Sequence, residues 1–498
     1  MNRNVIANIF GRFWSAISNF IFIPLYISIL GIDNYGVISF ALIVSGMLMV
    51  LDLGLSVSIM REIARRDLSA QEKFRSFRAF EKIYVLVLFV CGAAGLLFAR
   101  PIAVSFINET PIDRELIALC LKIVACEAGL QLLFRYYVSA MMGLERQVEA
   151  NIFNIAWGAA RNGLVLLPLM LWPTLSVFFF CQLVATLLLL LVAQWRLNRV
   201  LAPWRPAQVP FVDWDTLARI RGFAAGIFLI AIVALVNTQL DRIVLSRLLD
   251  LEYLGYYNIA IALGTGMIAI ASPFQAAIQP RLTAWFSEGN GDGARDLYLR
   301  TAMLVAVLVF PVMATIAVNA EMVVMGWTGN SNVAKNAAPF VPWVIASYSF
   351  LAMSSLTYSV ALANGYTRFN NVLGLASLCV SIPGYWLVVG HFGAVGAAAL
   401  FFAIQFSVSM AFHALVDRRF LNFGIVRTYL QLLLVPAVAA IAIALAFERF
   451  AAPLSSTRLG MFLFLGCALA LALAGTGLVA VAAFRMRWPF GDLEANHG

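Results

Sequence analysis

The sequence is poor in charge. Asp, Glu, Lys and Arg make up 12% of its 498 residues, about half the share of a soluble domain. It has three histidines, His391, His413 and His497, scattered too widely to suggest a metal site. Its six cysteines, Cys91, Cys120, Cys126, Cys181, Cys379 and Cys467, all sit inside apolar runs with no CxxC spacing. They read as core residues, neither a disulfide framework nor zinc ligands. No GxSxG, P-loop or HExxH motif occurs. No connection is long enough to fold as a catalytic domain, and no basic patch suits nucleic acid. No small-residue cleavage site follows the first apolar run, which predicts a retained span and not a signal peptide.

What the sequence has is apolar surface. Hydrophobic residues make up 62% and mean hydropathy is +0.89. At ~20 residues per bilayer-spanning helix this supplies roughly 14 spans. Fourteen apolar segments are read: 13–31, 36–60, 82–107, 115–142, 152–171, 175–195, 219–247, 254–280, 299–322, 338–363, 370–390, 393–415, 428–447 and 459–484. Two pairs need tight turns, across Trp172-Pro173-Thr174 and across Gly390-His391-Phe392-Gly393. The longest connections, 61–81 and 196–218, are basic.

The net charge of +9 orients these spans. With the N-terminus inside, 24 of the 34 Lys and Arg lie in cytoplasmic segments, 6 lie outside and 4 lie within spans. That bias predicts cytoplasmic termini. An internal echo divides the chain. Leu30-Gly31-Ile32-Asp33-Asn34-Tyr35-Gly36 precedes span 2, and Leu249-Asp250-Leu251-Glu252-Tyr253-Leu254-Gly255 precedes span 8, an offset of 219 residues. Transporters are often built from such repeats. The expected fold is an all-α polytopic membrane protein of 14 transmembrane helices, with two pseudo-symmetric six-helix lobes and an added pair. The expected boundaries are an N-lobe over 1–200 (spans 1–6), a basic cytoplasmic linker over 201–218, and a C-lobe over 219–420 (spans 7–12). Spans 13–14 fill 421–485 and a cytoplasmic tail fills 486–498.

Polar residues at membrane depth are the functional candidates, because a charge there is costly and normally faces a bundle interior or cavity. Span 4 carries Glu127, Gln131 and Arg135 at i, i+4, i+8, one helical stripe, with Lys122 nearer the outside. Span 5 carries Asn151, Asn154, Gly158 and Arg161 on one face. Arg161 lies about 13 Å from the cytoplasmic end at 1.5 Å per residue. Guanidinium groups suit bidentate phosphate binding, so Arg135, Arg161, Lys122, Gln131 and Asn154 are candidates for holding an anionic headgroup. The competing reading is a Glu–Arg pair that only orders the bundle. Asp52, Glu127 and Asp241 are candidates for proton or ion coupling, against capping or ion-pair roles. Seven spans contain proline, and Pro273, with polar neighbours, is the candidate hinge. Tyr26, Tyr136, Tyr137, Tyr348 and Tyr358 could stack on sugars, but packing is the stronger reading for each. His413 is expected at the interface. Spans 13 and 14 carry no internal charge, which suits either a wall against lipid or a groove for a long acyl or prenyl tail.

The opening stretch, Asn8-Ile9-Phe10-Gly11-Arg12-Phe13-Trp14, Phe22-Ile23-Pro24-Leu25-Tyr26, Leu30 to Gly36 and Leu51-Asp52-Leu53-Gly54-Leu55, resembles the polysaccharide transporter family, whose members include the Wzx-type O-antigen flippases of the multidrug/oligosaccharidyl-lipid/polysaccharide exporter superfamily. Gln239-Leu240-Asp241-Arg242, Leu254-Gly255-Tyr256-Tyr257 and Gln279-Pro280-Arg281 resemble the same family. The resemblance implies a flippase that moves undecaprenyl-diphosphate-linked oligosaccharide from the cytoplasmic to the periplasmic leaflet by alternating access. It implies cavity cations on the diphosphate, to which Arg135 and Arg161 correspond loosely, and an ion gradient, often argued to be protons, resetting the cycle. It further implies the bacterial inner membrane, no cofactor, and polymerase and glycosyltransferase neighbours in O-antigen, capsule or exopolysaccharide synthesis. The competing readings are a small-molecule exporter of the same superfamily, and a polytopic glycan polymerase, which would be an enzyme and would need larger outer loops.

Overall fold

The computed structural model describes residues 20–52, 54–65, 67–107, 111–206, 232–233, 235–366, 368–424, 429–450 and 457–484. The described residues are helical or in short connections, with no strand among them. Eleven of their helices are long and apolar enough to cross a membrane. One of these, Arg368–Leu421, holds two passes, as shown below. Spans 1 and 7 of the sequence reading fall partly on 13–19 and 219–231, outside the described residues, so the count of 14 remains an expectation. Residues 8–14, most of the 201–218 linker and the tail beyond 484 also lie outside. Contacts divide the chain into two compact units, Met1–Gly255 and Tyr256–Gly498.

In the first unit α1 (Phe20–Leu30) runs into α2 (Ile32–Leu48) through Gly31 at φ 83°. A tight 3₁₀ segment, Met49–Asp52, ends α2. Gly54, left-handed at φ 70°, ψ 12°, restarts the chain as α3 (Leu55–Ala64). The segment read as one span over 36–60 is therefore two helices around a break. Glycine adopts this backbone without steric cost, and Leu51-Asp52-Leu53-Gly54 supplies it where the turn is needed. Next, α4 (Ala70–Ser105) begins with a capping box: Ser69 Oγ accepts from the Glu72 amide while Glu72 accepts from the Ser69 amide. The basic connection expected over 61–81 is thus mostly helix, and Ser69-x-x-Glu72 was its signal. α5 (Arg114–Gly143), capped by Asp113, packs along α4. A Cβ on Gly129 would sit 2.7 Å from Leu88 Cδ1, so glycine sets that close approach.

The span beginning at α6 (Gln147–Gly158) continues through a π-helical segment, Ala159–Leu164, into α7 (Leu166–Leu171). Trp172 leaves helical geometry and Thr174 caps α8 (Leu175–Leu201), its Oγ1 accepting from the Val177 amide at 3.4 Å. This is the first of the two expected tight turns. A core of Phe74, Phe77, Phe80, Tyr84, Phe134, Tyr136 and Tyr137 fills the space among α3, α4 and α5. The echoed turns meet within this unit. A Cβ on Gly36 would collide with the Leu251 carbonyl, and one on Gly255 would lie 3.4 Å from the Gly36 nitrogen. Each glycine lets the other helix start approach. A further helix, α9 (235–248), leads to α10 (Leu251–Ser287).

In the second unit α10 continues past Pro273 and Pro280. It is followed by α11 (Gly291–Val318), the short α12 (Ala320–Thr328) and α13 (Ser331–Ala337), and α14 (Val341–Ala363). α15 (Arg368–Val416) breaks at Gly393, φ 60°, ψ −151°. A Cβ on Gly384 would lie 3.0 Å from Leu400 Cδ2. Sixteen residues of straight helix would hold these positions about 24 Å apart, so the chain doubles back at Gly393, the second expected turn. α16 (Val435–Phe450) and α17 (Arg458–Phe484) stack through Phe447 and Phe464, whose ring centroids are 4.9 Å apart. They join the core built on α11. All six cysteines are free.

Candidate functional site

The polar stripe on α5 divides in two. Glu127 and Gln131 are buried, while Arg135 is exposed. Glu127 Oε1 accepts from Arg161 Nε at 3.0 Å and from Thr186 Oγ1 at 3.0 Å. Its other oxygen accepts from Gln131 Nε2. Trp157 Nε1 donates to Thr186 Oγ1 at 3.1 Å and stacks under the Arg161 guanidinium, 5.3 Å from its centre. The two charged side chains are 13% and 3% exposed. A dry carboxylate is tolerable only when its lone pairs are met, and here three donors from three helices meet them.

The backbone at Arg161 explains how it reaches Glu127. A π-turn widens the helix and leaves carbonyls without their usual partners. Those of Arg161 and Asn162 are taken by Gln182 Nε2, at 3.4 Å, and by the Tyr26 hydroxyl. The structure therefore joins Glu127 and Arg161 in the kind of pair expected as the alternative to a headgroup site, with Gln131 bonded to Glu127. Asn154 is half-buried on the same helix as Arg161.

Arg135 faces elsewhere. Its Nη1 lies 3.7 Å from Met49 Sδ, in the 3₁₀ segment where α2 breaks. Among the described residues no carboxylate pairs with it. In the same break Asp52 Oδ1 accepts from Tyr84 Oη at 2.6 Å and from Ser56 Oγ. The Ser56 and Tyr84 oxygens are 2.9 Å apart. Tyr84 lies within electrostatic reach of both Asp52 and Arg135. The break therefore gathers one accessible guanidinium, one hydrogen-bonded carboxylate and two hydroxyls. A guanidinium with free donors can take two oxygens of a phosphate side by side.

The remaining candidates lie apart. Lys122 is half-buried on α5, near the apolar cleft where Gly95 approaches its backbone. Asp241 is 3% exposed on α9, with Arg242 Nε 4.0 Å from its Oδ1. Pro273 lies inside α10. His413, expected at the interface, is buried, with its Nδ1 2.8 Å from the Ser409 carbonyl. Of the tyrosines weighed for stacking, Tyr136 donates to the Phe77 carbonyl and Tyr137 to Glu81, while Tyr358 borders a cavity in the second unit. The reading missed Tyr84, Ser56, Thr186 and Trp157. Ser56 stands one turn after Asp52, a legible i, i+4 pair. The others join through tertiary contacts that no spacing reveals.

Known proteins share this architecture. Over 83% of this chain and 96% of its own length, a Shigella flexneri protein named "Putative O-antigen transporter" is 22% identical. A solved Lipid II flippase MurJ, in an inward closed conformation, superposes with a TM-score of 0.75 over 97% of this chain and 98% of that one, at 11% identity. An inward-facing MATE family multidrug resistance transporter of the MOP superfamily gives 0.64 over 84% and 95%, at 14% identity. These structural likenesses establish the fold. The family model described as "Polysaccharide biosynthesis protein" matches residues 28–331, a stretch that holds the α2 break, Arg135 and the Glu127–Arg161 pair, and the chain belongs to that family.

Proposed function

We propose that this multi-pass membrane protein is a flippase. It carries undecaprenyl-diphosphate-linked oligosaccharide repeat units from the cytoplasmic to the periplasmic leaflet by alternating access. The observation that carries this reading is Arg135, a guanidinium about 12 Å in from the Gly143 end of α5, exposed, beside the α2 break, and without a carboxylate partner among the described residues. Holding such a charge at membrane depth is costly, and an anionic headgroup repays the cost. The O-antigen transporter relative and the flippase-like fold support the same cargo. Arg135 grips the diphosphate. Asp52, hydrogen-bonded to Tyr84 and Ser56, exchanges a proton as the lipid leaves. Glu127 and Arg161, with Gln131 bonded to Glu127, form a buried pair that orders the bundle around the site. Lys122 and Asn154 are further candidates for holding the headgroup, Asp241 is one for ion coupling, and Pro273 is a hinge.

In this reading the protein is a transporter and not an enzyme. It sits in the bacterial inner membrane with both termini cytoplasmic, and it works beside glycosyltransferases and a polymerase. The MATE likeness favours a second reading, export of small molecules. A deletion strain separates the two. We expect lipid-linked repeat units to accumulate on the cytoplasmic leaflet, with surface glycan lost and drug sensitivity unchanged. Normal surface glycan with new drug sensitivity would replace the flippase reading by the exporter.

A further inference from the structure

The second unit contains a cavity of about 320 Å³ among α10, α14 and both arms of α15. Its volume is that of a small-molecule pocket. Gln275, Asn370, Gln405 and Tyr358 border it. These helices are otherwise strongly apolar, with mean hydropathy of 1.3 to 2.1 over their candidate spans. Gln275, Gln405 and Tyr358 are half-buried there and Asn370 is exposed, so the cavity offers polar groups in an apolar surround, each able to take a ligand's hydrogen bonds.

Neighbouring hydroxyls are already satisfied. Ser354 and Ser409 bond each other at 2.6 Å, and Ser355 donates to the Ala352 carbonyl at 2.7 Å. The Gln275, Asn370 and Gln405 amides and the Tyr358 hydroxyl make no hydrogen bond to a described residue. A carboxamide presents a donor and an acceptor side by side, the complement of two adjacent sugar hydroxyls. The Tyr358 and Phe412 rings, with centroids 6.5 Å apart, add aromatic surface of the kind that faces a pyranose ring. Among the described residues no carboxylate, amine, guanidinium or imidazole lines the cavity.

We propose that this cavity is a binding site for an uncharged sugar, one or two pyranose units long, and that Gln275 and Gln405 set its specificity. The proposal rests on the flippase reading, since the cargo's glycan is the sugar it would hold. A sugar carboxylate would find no cation in the lining and would be excluded by its desolvation cost.

Saturation-transfer difference NMR on the full chain in detergent tests this, with methyl glucoside, methyl N-acetylglucosaminide and methyl glucuronide as probes. Wild type should transfer saturation to at least one neutral glycoside and not to the glucuronide. The paired substitution Gln275→Leu and Gln405→Leu should weaken that binding about tenfold or more, one hydrogen bond being worth up to about tenfold. Ser355→Trp, which fills the cavity, should abolish it. No transfer to either neutral glycoside in wild type would overturn the proposal, as would undiminished transfer in both variants. Equal transfer to the glucuronide would overturn the neutral-sugar assignment. Arg135→Ala should leave the sugar signal intact. Sugar binding with no flipping of lipid-linked oligosaccharide by wild type would reject the flippase reading and leave the sugar site standing.

Discussion

Arg135 and Arg161 look alike in the sequence, two arginines at membrane depth on consecutive spans. The structure gives them different surroundings. Arg161 is enclosed and paired with Glu127, whereas Arg135 is exposed at the α2 break. Their substitutions should therefore fail differently. Arg135→Ala should lower flipping in proteoliposomes tenfold or more, because a charged hydrogen bond contributes roughly 1.5–3 kcal/mol, while the thermal midpoint barely moves. Arg135→Lys should keep part of the rate, since it retains the charge and loses the fork. Unchanged flipping in Arg135→Ala would remove it from the site. Arg161→Met should instead destabilise the fold by about 3–5 kcal/mol, the cost of a buried charge left alone. Adding Glu127→Gln should restore much of that stability. Melting curves of the single and double variants check it, and additive losses would show that the two groups are not coupled.

At the scale of elements, the apolar runs marked the helices well, because a bilayer-spanning segment must be continuous and apolar. Both tight turns were legible, Trp172-Pro173-Thr174 from its proline and Gly390 to Gly393 from its glycines. The break in α2 was written as Leu51-Asp52-Leu53-Gly54, but a short polar interruption in an apolar run does not say whether the helix bends or continues. The π-turn at Ala159–Leu164 had no signal at all, since the donors to its carbonyls, Tyr26 and Gln182, come from elsewhere in the chain. Gly54→Val should cost about 1–2 kcal/mol in stability, the penalty of a left-handed L-residue, and more because it is β-branched. Gly54→Asn should cost less than Gly54→Val, since Asn tolerates that region. Equal melting points for wild type and Gly54→Val would show that the break does not persist in the membrane.

At the scale of the molecule, the distribution of 24 basic residues against 6 predicts which loops face the cytoplasm. In a variant with all six cysteines replaced, a single Cys at Ser69 should react with an impermeant maleimide only in inverted vesicles. One at Gly390 should react only in intact spheroplasts. Labelling of both positions from the same side would mean that the span count between them is wrong.

Composition and hydropathy alone determined that this chain is a multi-helix membrane protein, because nothing else accommodates 62% apolar residues in runs of span length. They also determined where its charges had to be counted. They could not say which charges are available. Glu127 is one helical turn from Gln131 and two from Arg135, yet its partner is Arg161, 34 residues away. Only the packing of α5 against its neighbours decided that one arginine is neutralised and the other stays accessible, and only that of α10, α14 and α15 set three uncharged amides around one cavity. A side chain's availability depends on what lies opposite it, and in a helical bundle that neighbour comes from elsewhere in the chain.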